Sequence, residues 1–276
     1  MSKADEAVPK PFLKWPGGKR WLAETVAGFL RPRIRGRYFE PFLGGGAVYF
    51  ELRPSQATLS DINKDLINAY RQVRDRPREV LDCLKRIPVT SKVYYNIRAA
   101  TPDCKIKRAA NLLYLNRTAF GGIYRLNKEG KFNVPFGGGE RTTEPLWRQN
   151  LVESSSTALR GVRLVASDFE DVIDMAVAGD AVYCDPTYTV AHENNGFVRY
   201  NERNFSWADQ ERLAHAATRA FSRGVLIIVS NAYHPSIRKL YRQFTARRLT
   251  RKSLVSTRLD SRRTVHEYLL TLDPQE

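Results

Sequence analysis

The segment 183–188, with the sequence YCDPTY, holds the residues best suited to chemistry. An apolar stretch delivers a carboxylate, Asp185, then Pro186 and the aromatic ring of Tyr188 to one point. This set suits an exocyclic amine, because the carboxylate can accept one N–H, a backbone carbonyl can accept the other, and the ring can stack on the heterocycle. Alone, the segment is equally typical of a strand-ending turn, since Asp-Pro is common in turns.

A second chemical string is the glycine turn at residues 40–46, with the sequence EPFLGGG, which leaves a predicted strand and enters a predicted helix. It is not a GxGxxG phosphate cradle, because Tyr49 stands where the third glycine would be, but its glycines let a ligand approach the backbone closely. Asp61 ends the following predicted strand. An acid there can accept hydrogen bonds from both hydroxyls of a ribose or can cap a helix. Glycine turn and acid together indicate a nucleoside-bearing cofactor.

Hydrophobic runs and turn signals predict the elements that must position these strings. Predicted strands cover residues 38–42, 57–61, 162–165, 181–184, 225–230, 244–249 and 265–272. Helices are expected between most of them, and the last two strands are expected to form an antiparallel pair. The alternation of strand and helix predicts one α/β sheet.

Two other segments have a distinct character. Residues 64–118 read as short helices separated at Pro77, Pro88 and Pro102, and residues 120–139 read as a glycine-rich hairpin or loop outside the core. Helical character is expected again at residues 143–159. Near the start, a helix after Gly18 is predicted to place Trp21, Leu22, Val26 and Leu30 on one face.

Composition narrows the class of partner. The chain has 45 Lys and Arg against 29 Asp and Glu, a formal net charge of +16, which favours a polyanion such as nucleic acid. The polar start and the absence of a long apolar run argue against a signal peptide and a membrane protein, so a cytoplasmic location is expected. Three scattered cysteines fit a reducing compartment. Neither they nor the four histidines have metal-ligand spacing, and no metal site is expected.

In order along the chain, these motifs resemble those of Dam-family DNA adenine methyltransferases. The matching strings are FLKWPGGK at 12–19, EPFLGGG at 40–46, SDIN at 60–63, LNR at 115–117, YRLN at 124–127, FNVPFG at 132–137, SDFE at 167–170, DPTY at 185–188 and IVSN at 228–231. The catalytic motif of the family is usually DPPY. Thr187 stands in place of the second proline and leaves the backbone angle φ freer at that position. The resemblance covers about residues 11–272.

The resemblance implies a Rossmann-like methyltransferase fold that uses S-adenosylmethionine (SAM). It implies a catalytic domain of residues 1–63 and 153–276, with a mostly helical DNA-recognition insertion and hairpin at 64–152. By motif, the expected SAM contacts are Trp15, Lys19, Phe42, Gly44, Gly46, Asp61 and Asp185. Asp185 and the Pro186 carbonyl are expected to hold the amino group of a flipped-out adenine, on which Tyr188 stacks. Methyl transfer is expected to be direct, without a covalent enzyme intermediate.

Double-stranded DNA is the expected partner, the protein is expected to be a monomer, and a companion restriction enzyme is a candidate partner. Candidate DNA contacts in the insertion are Arg117, Arg125, Lys128, Lys131 and Asn133. Ten further basic residues lie between Arg238 and Arg263. We predict that Arg125 reads a base edge, because arginine can bind guanine bidentately, whereas Lys128 and Lys131 contact phosphates.

Three alternatives stay open from the residues. Cytosine N4 is also an exocyclic amine, although the enzymes that methylate it more often carry Ser-Pro-Pro-Tyr, so Asp185 favours adenine. RNA is another possible substrate, and a nucleic-acid-binding protein without catalysis is the third reading. Residues 118–122 read TAFGG, where Dam itself has a Tyr- and Asn-containing stretch. The sequence therefore does not predict a GATC target.

Overall fold

The computed structural model describes residues 9–127, 129–139, 146–189, 205–252 and 264–275. The helices are α1 (Arg20–Leu30), α2 (Ala47–Leu52), α3 (Lys64–Asp75), α4 (Pro77–Lys85), α5 (Ser91–Ala99), α6 (Lys105–Thr118), α7 (Gln149–Ala158), α8 (Phe169–Asp174), α9 (Trp207–Ser222) and α10 (Pro235–Leu240). The strands are β1 (Tyr38–Glu40), β2 (Ala57–Asp61), β3 (Arg163–Ala166), β4 (Ala181–Cys184), β5 (Leu226–Ala232), β6 (Thr245–Lys252) and β7 (Thr264–Leu272). A single 3-10 turn, Phe120–Gly122, follows α6.

The strands form a seven-stranded mixed sheet in the order β3-β2-β1-β4-β5-β7-β6. β1 pairs in parallel with β2 and β4, and β4 pairs in parallel with β5. β7 lies antiparallel between β5 and β6, which confirms the predicted closing pair. The run β3-β2-β1-β4-β5 follows the strand order of doubly wound Rossmann sheets, so the predicted α/β fold is confirmed. Helices α3 to α6 all lie between β2 and β3 in the chain, as expected of a helical insertion.

The chain divides into two compact units. The first comprises Met1–Arg31, Leu43–Ser55 and Asp61–Ala166, and the second comprises Pro32–Phe42, Gln56–Ser60 and Ser167–Glu276. The functional division into a catalytic domain and a DNA-recognition insertion stays a prediction. None of the helices in the described ranges combines the length and apolar character needed to cross a membrane.

The core of the second unit forms around its central parallel strands. All four residues of β4 and all seven of β5 are buried, so both strands are covered on both faces. Apolar side chains of α8 and α9, such as Ile173 and Leu213, are fully buried in this cluster. Burial on both faces holds β4 firmly, and the chain leaves it at Asp185.

Helix α1 in the first unit corrects one expectation from the sequence. Leu22, Val26 and Leu30 are fully buried as predicted, but Trp21 is 38% exposed. Successive helical residues are about 100° apart, and the buried face includes Ala23 and Ala27 beside the three predicted residues. Trp21 therefore lies nearly opposite the centre of that face, and its inclusion was wrong.

The segment 120–139 forms the predicted hairpin, with bridges between Leu126 and Phe132 and between Ala119 and Phe136. It is not wholly outside the core, because Val134 is only 2% exposed. The hydroxyl of Tyr94 on α5 donates to the Val134 carbonyl at 2.8 Å. The apolar side chain and its satisfied backbone carbonyl attach the base of the hairpin to the helices of the first unit.

The two neighbouring residues at the start of α1 provide a stability test of its buried face. Leu22→Ala should lower the free energy of unfolding by about 2–5 kcal/mol, because it leaves a cavity in a packed core. Trp21→Ala removes the larger side chain but should cost less than about 1 kcal/mol, as exposed substitutions do. Urea denaturation followed by circular dichroism measures both values, and a larger loss for Trp21→Ala would contradict the assigned face.

Candidate active site

The carboxyl ends of β1 and β4 place Phe42 and the DPTY segment at one edge of the second unit. The two strands are parallel neighbours, with Tyr38 beside Ala181 and Phe39 beside Val182. The strand order reverses between them, since β2 and β3 lie on one side and β5 on the other. Ligands of open α/β sheets bind at such a switch point, outside the carboxyl ends of the strands.

Asp185 is held by a hydroxyl from the next strand. The Ser230 hydroxyl on β5 donates to Asp185 Oδ1 at 2.7 Å, and the Tyr183 hydroxyl lies 3.0 Å from Ser230 Oγ. Ser230 is fully buried and Asp185 is half-buried. One oxygen of the carboxylate is therefore oriented by a buried network, because Ser230 cannot turn without losing these contacts.

The ring of Tyr188 is anchored through its hydroxyl. That hydroxyl donates to Glu267 Oε2 on β7 at 2.6 Å, and Arg251 Nε on β6 donates to Glu267 Oε1 at 2.9 Å. Burial and the nearby charge of Glu267 raise the pKa of Tyr188 well above its ordinary value. The hydroxyl thus stays protonated and can donate. Thr187, the departure from DPPY, has an exposed side chain.

Phe42 packs within an aromatic cluster of the second unit. Its ring stacks on Phe169 at 5.3 Å between centroids with a 24° tilt, and meets Phe205 edge-on at 5.5 Å. Phe169 begins α8, which Asp168 caps by accepting the Glu170 N–H at 2.9 Å. These contacts hold the ring of Phe42 in an ordered apolar cluster just beyond the end of β1.

In the first unit, Asp61 binds the glycine turn directly. Its Oδ2 accepts the Gly44 N–H at 3.0 Å and its Oδ1 accepts the Asn63 N–H at 3.0 Å. Burial raises the pKa of the Asp61 carboxyl above its ordinary value, although the two N–H donors oppose that shift. The sequence left helix capping as an alternative role for Asp61. The residue that caps α3 is instead Asn63, whose side chain accepts the Asp65 and Leu66 N–H groups.

Trp15 explains part of the glycine requirement. A Cβ on Gly44, where φ is +47°, would lie 2.7 Å from Trp15 Cδ1. Gly46, at φ +66°, is similarly close to the Tyr70 hydroxyl, which would lie 3.0 Å from a Cβ. The turn therefore needs glycine both for its backbone conformation and to admit these rings. Lys19 is only 6% exposed, so it is not an ordinary solvated charge.

The indole of Trp15 also reaches the hairpin. It stacks on Tyr124 with 4.5 Å between centroids and a 22° tilt. The Tyr124 hydroxyl accepts a hydrogen bond from Asn63 Nδ2 at 2.9 Å. Within the first unit, the glycine turn, the segment after β2 and the hairpin thus meet around one aromatic pair.

The candidate DNA-binding residues fall into three environments. Arg125 Nε donates to Asn133 Oδ1 at 2.9 Å across the hairpin, so the structure brings these two together. Lys131 is exposed and lies 3.3 Å from the Glu129 carboxylate. Lys128 lies outside the described residues. Arg117 is only 8% exposed and its guanidinium donates to the Phe12 carbonyl.

Arg117 is therefore buried and hydrogen-bonded within the protein, unlike a cation on the surface. Burial lowers the pKa of its guanidinium to about 10. Its hydrogen bond ties α6 to the segment that precedes α1. This environment favours a structural role for Arg117 over the predicted phosphate contact.

The comparison with known families decides what the molecule is. The family model described as D12 class N6 adenine-specific DNA methyltransferase matches residues 15–257. The chain belongs to this family. It is an enzyme that methylates adenine N6 in DNA.

Relatives of this adenine methyltransferase span nearly its whole length. Type II methyltransferase M1.LlaDCHI of Lactococcus lactis subsp. cremoris is 36% identical over 273 residues, which cover 95% of each chain. Type II methyltransferase M.MjaIII of Methanocaldococcus jannaschii is 32% identical, covering 95% of this chain and 98% of its own. The DNA adenine methylase of Salmonella typhi is 30% identical and covers 96% of each chain. The family resemblance read from the motifs is confirmed.

Two residues of the methyltransferase site received no role from the sequence. Ser230 lies in a matched motif, but nothing in that string indicates a bond to Asp185. Glu267 lies in a strand 79 residues after Tyr188. A charged residue beside the apolar run at the end of this strand was the one available signal for Glu267, because buried acids are rare unless they are paired.

Arg117 and Lys131 can be separated by what each substitution changes. Arg117→Ala should lower the free energy of unfolding by about 1–3 kcal/mol, because it leaves the buried Phe12 carbonyl without this donor. It should leave the salt dependence of DNA affinity unchanged. Lys131→Ala should spare stability but reduce the slope of log affinity against log salt by about 0.9, the value for one phosphate contact.

Urea denaturation and DNA titration at several salt concentrations measure both effects. A reduced salt slope with unchanged stability in Arg117→Ala would restore its predicted role as a phosphate contact.

Proposed function

We propose that this adenine methyltransferase takes its methyl group from SAM and acts on an adenine that is flipped out of the duplex. The observation that carries the proposal is Asp185, a carboxylate at the topological switch point of the sheet, held at 2.7 Å by the Ser230 hydroxyl. An oriented acceptor at this position suits an exocyclic amino group.

The residues of the first unit fit a nucleoside-bearing donor. Asp61 can accept hydrogen bonds from the ribose hydroxyls, since each carboxylate oxygen has two acceptor sites and the Gly44 and Asn63 N–H groups each occupy one. Trp15 presents an aromatic face beside the glycine turn, and Lys19 lies within the same segment. We assign Trp15, Lys19, Gly44, Gly46 and Asp61 to SAM, and we give Asp185 chiefly to the adenine amino group; the SAM contact expected of Phe42 stays a prediction.

In the second unit, Asp185 and the Pro186 carbonyl each accept one N–H of the adenine amino group. These two hydrogen bonds increase the electron density on N6 and direct its lone pair. Tyr188 stacks on the base and fixes the plane of the ring. The contribution of these residues is positioning and electrostatic stabilisation, since they place the amine and form no covalent bond with it.

SAM supplies a methyl group bound to a sulfonium sulfur. An amine can attack this methyl carbon directly, with the sulfur as leaving group, so no protein nucleophile is needed. Cys184 stands directly before Asp185, yet it is fully buried. Burial raises the pKa of the Cys184 thiol, so it stays protonated and unreactive. This supports direct transfer to N6 rather than a route through a covalent intermediate.

Flipping a base out of the stack costs a few kcal/mol, which contacts with the DNA backbone can offset. The hairpin supplies Arg125, Asn133 and Lys131 for the groove, and exposed arginines on β6, such as Arg247 and Arg248, add positive charge elsewhere in the chain. Two relatives are named Type II methyltransferases. That name supports a role for this enzyme in a restriction–modification pair, in which a restriction enzyme recognises the same target sequence.

Paired alanine variants test the two assignments. Asp185→Ala should lower the rate of methyl transfer about a hundredfold or more, because it removes an electrostatic contact to the reacting amine. It should retain most of the SAM affinity measured by calorimetry. Asp61→Ala should instead reduce the affinity for SAM far more than it reduces the affinity for duplex DNA.

Methyl incorporation from labelled SAM gives the rates, and sequencing of the methylated DNA gives the target. If Asp185→Ala kept more than about a tenth of the wild-type rate, a difference of only ~1.4 kcal/mol, its assigned role would be wrong. Equal losses of SAM and DNA affinity in Asp61→Ala would indicate that this acid only supports the glycine turn.

The hairpin assignment has its own test on the sequenced target. Arg125→Ala should cost about 1–3 kcal/mol of affinity on the target duplex and little on random DNA, because a bidentate base contact is lost. Asn127→Ala is the matched control for hairpin packing, because the Asn127 side chain accepts the Glu129 and Lys131 N–H groups at 3.0 and 2.9 Å. Equal losses on target and random DNA, with a lowered melting temperature, would show that Arg125 only pins the hairpin.

A further inference from the structure

Glu267 is a buried acid that the reaction described above does not use. It is only 1% exposed in the middle of β7. Its two carboxylate oxygens have different partners: Oε2 accepts the Tyr188 hydroxyl at 2.6 Å, and Oε1 accepts Arg251 Nε at 2.9 Å. A buried carboxylate is costly unless it is paired and hydrogen-bonded, and Glu267 meets both conditions.

The position of Glu267 is fixed by strands on both sides. Its backbone is in register with Ala232 at the end of β5 and with Leu249 on β6. Arg251, two residues further along β6, reaches across to the carboxylate. The backbone of Glu267 is therefore held by a paired strand on each side.

Tyr188, in contrast, follows a loop with one proline rather than two. In DPTY, Pro186 restricts its own φ, but Thr187 leaves φ free where the family pattern DPPY would restrict it. The side chain of Thr187 is exposed and adds no buried contact of its own. A ring that must lie parallel to a base at this point needs another constraint.

We infer that Glu267 is a positioning residue for methyl transfer, which sets the plane of the Tyr188 ring through its hydroxyl and so offsets the missing second proline. This inference rests on the proposed stacking of Tyr188 on the target base. The bond is charge-assisted and short, which makes it more directional than a bond between neutral groups. Arg251 Nε donates to the other carboxylate oxygen of Glu267 and holds it from the opposite side.

The expected effect is on the chemical step and not on cofactor binding. Without the anchor, the Tyr188 ring samples more orientations, so fewer complexes hold the amine correctly. Tyr188→Phe keeps the ring and removes only the hydroxyl. It should lower kcat about tenfold or more, as for one lost hydrogen bond to a charged group, and leave the SAM Kd within about twofold.

A double-mutant cycle tests the connection on a duplex that carries the sequenced target. Glu267→Leu should lower kcat by a similar factor, and Tyr188→Phe with Glu267→Leu should be no slower than the worse single variant. Glu267→Gln keeps the shape and a neutral acceptor, so it should retain more activity than Glu267→Leu. If Glu267→Leu does not fold, the same cycle with Glu267→Gln replaces it.

A second readout follows the stacking itself. With 2-aminopurine at the target position, the anchored ring should quench its emission, and the emission should rise in Tyr188→Phe and Glu267→Leu alike. Asp273→Asn is the matched control, because Asp273 is also a buried acid just after β7 and pairs with Arg33 at 2.9 Å. It should lower the melting temperature without changing kcat or the emission.

The outcomes separate this inference from the proposed function. Losses in kcat that multiply in the double variant, or a Glu267 effect matched by Asp273→Asn, would overturn the positioning role. If Tyr188→Ala itself retained wild-type kcat, the proposed stacking on the base would fail, and the inference on Glu267 would fail with it.

Discussion

The parallel pairing of β4 between β1 and β5 is the constraint on which the chemistry of this enzyme depends. It fills both edges of β4 and ends the strand at a carboxylate that the next strand can reach. Ser230 lies one residue beyond Val229, the last residue of β5 that pairs with β4, so its hydroxyl arrives beside Asp185 as a result of strand register. An ionisable group at this edge is oriented by the fold before any substrate is present.

Much of the fold could be predicted from the sequence because its signals are local. Apolar runs that end in Asp61 or Asp185 indicate strands of a buried sheet, and the glycine turn between strand and helix is visible in the same way. The antiparallel closing pair was predicted from the two strand-like runs at 244–249 and 265–272. The errors came where neighbours in space decide. Trp21 was assigned to the buried face of α1, but that face includes Ala23 and Ala27 and so turns away from Trp21. The hairpin was expected to lie outside the core, although Val134 is buried.

The site shows the same division. Motif order selected Asp185 and Asp61 as candidates, because these residues lie in strings that resemble those of the family. No pattern in the string around Arg117 separates a buried guanidinium from a surface cation. The partner of Tyr188 comes from strand β7, 79 residues away. Contacts of this kind depend on the order and register of strands, which periodicity alone does not specify.

The stack of Trp15 on Tyr124 makes the recognition hairpin a poor candidate for simple exchange between relatives. Tyr124 stands directly before Arg125, yet its ring and hydroxyl are committed to Trp15 and Asn63. A grafted hairpin that brought a new base-reading residue but a small side chain at position 124 would leave a gap beside the glycine turn. If the hairpin reads the target and the glycine turn holds the cofactor, as proposed, swapping this segment would disturb both functions, and evolution toward a new target is expected to proceed by single substitutions around a retained aromatic.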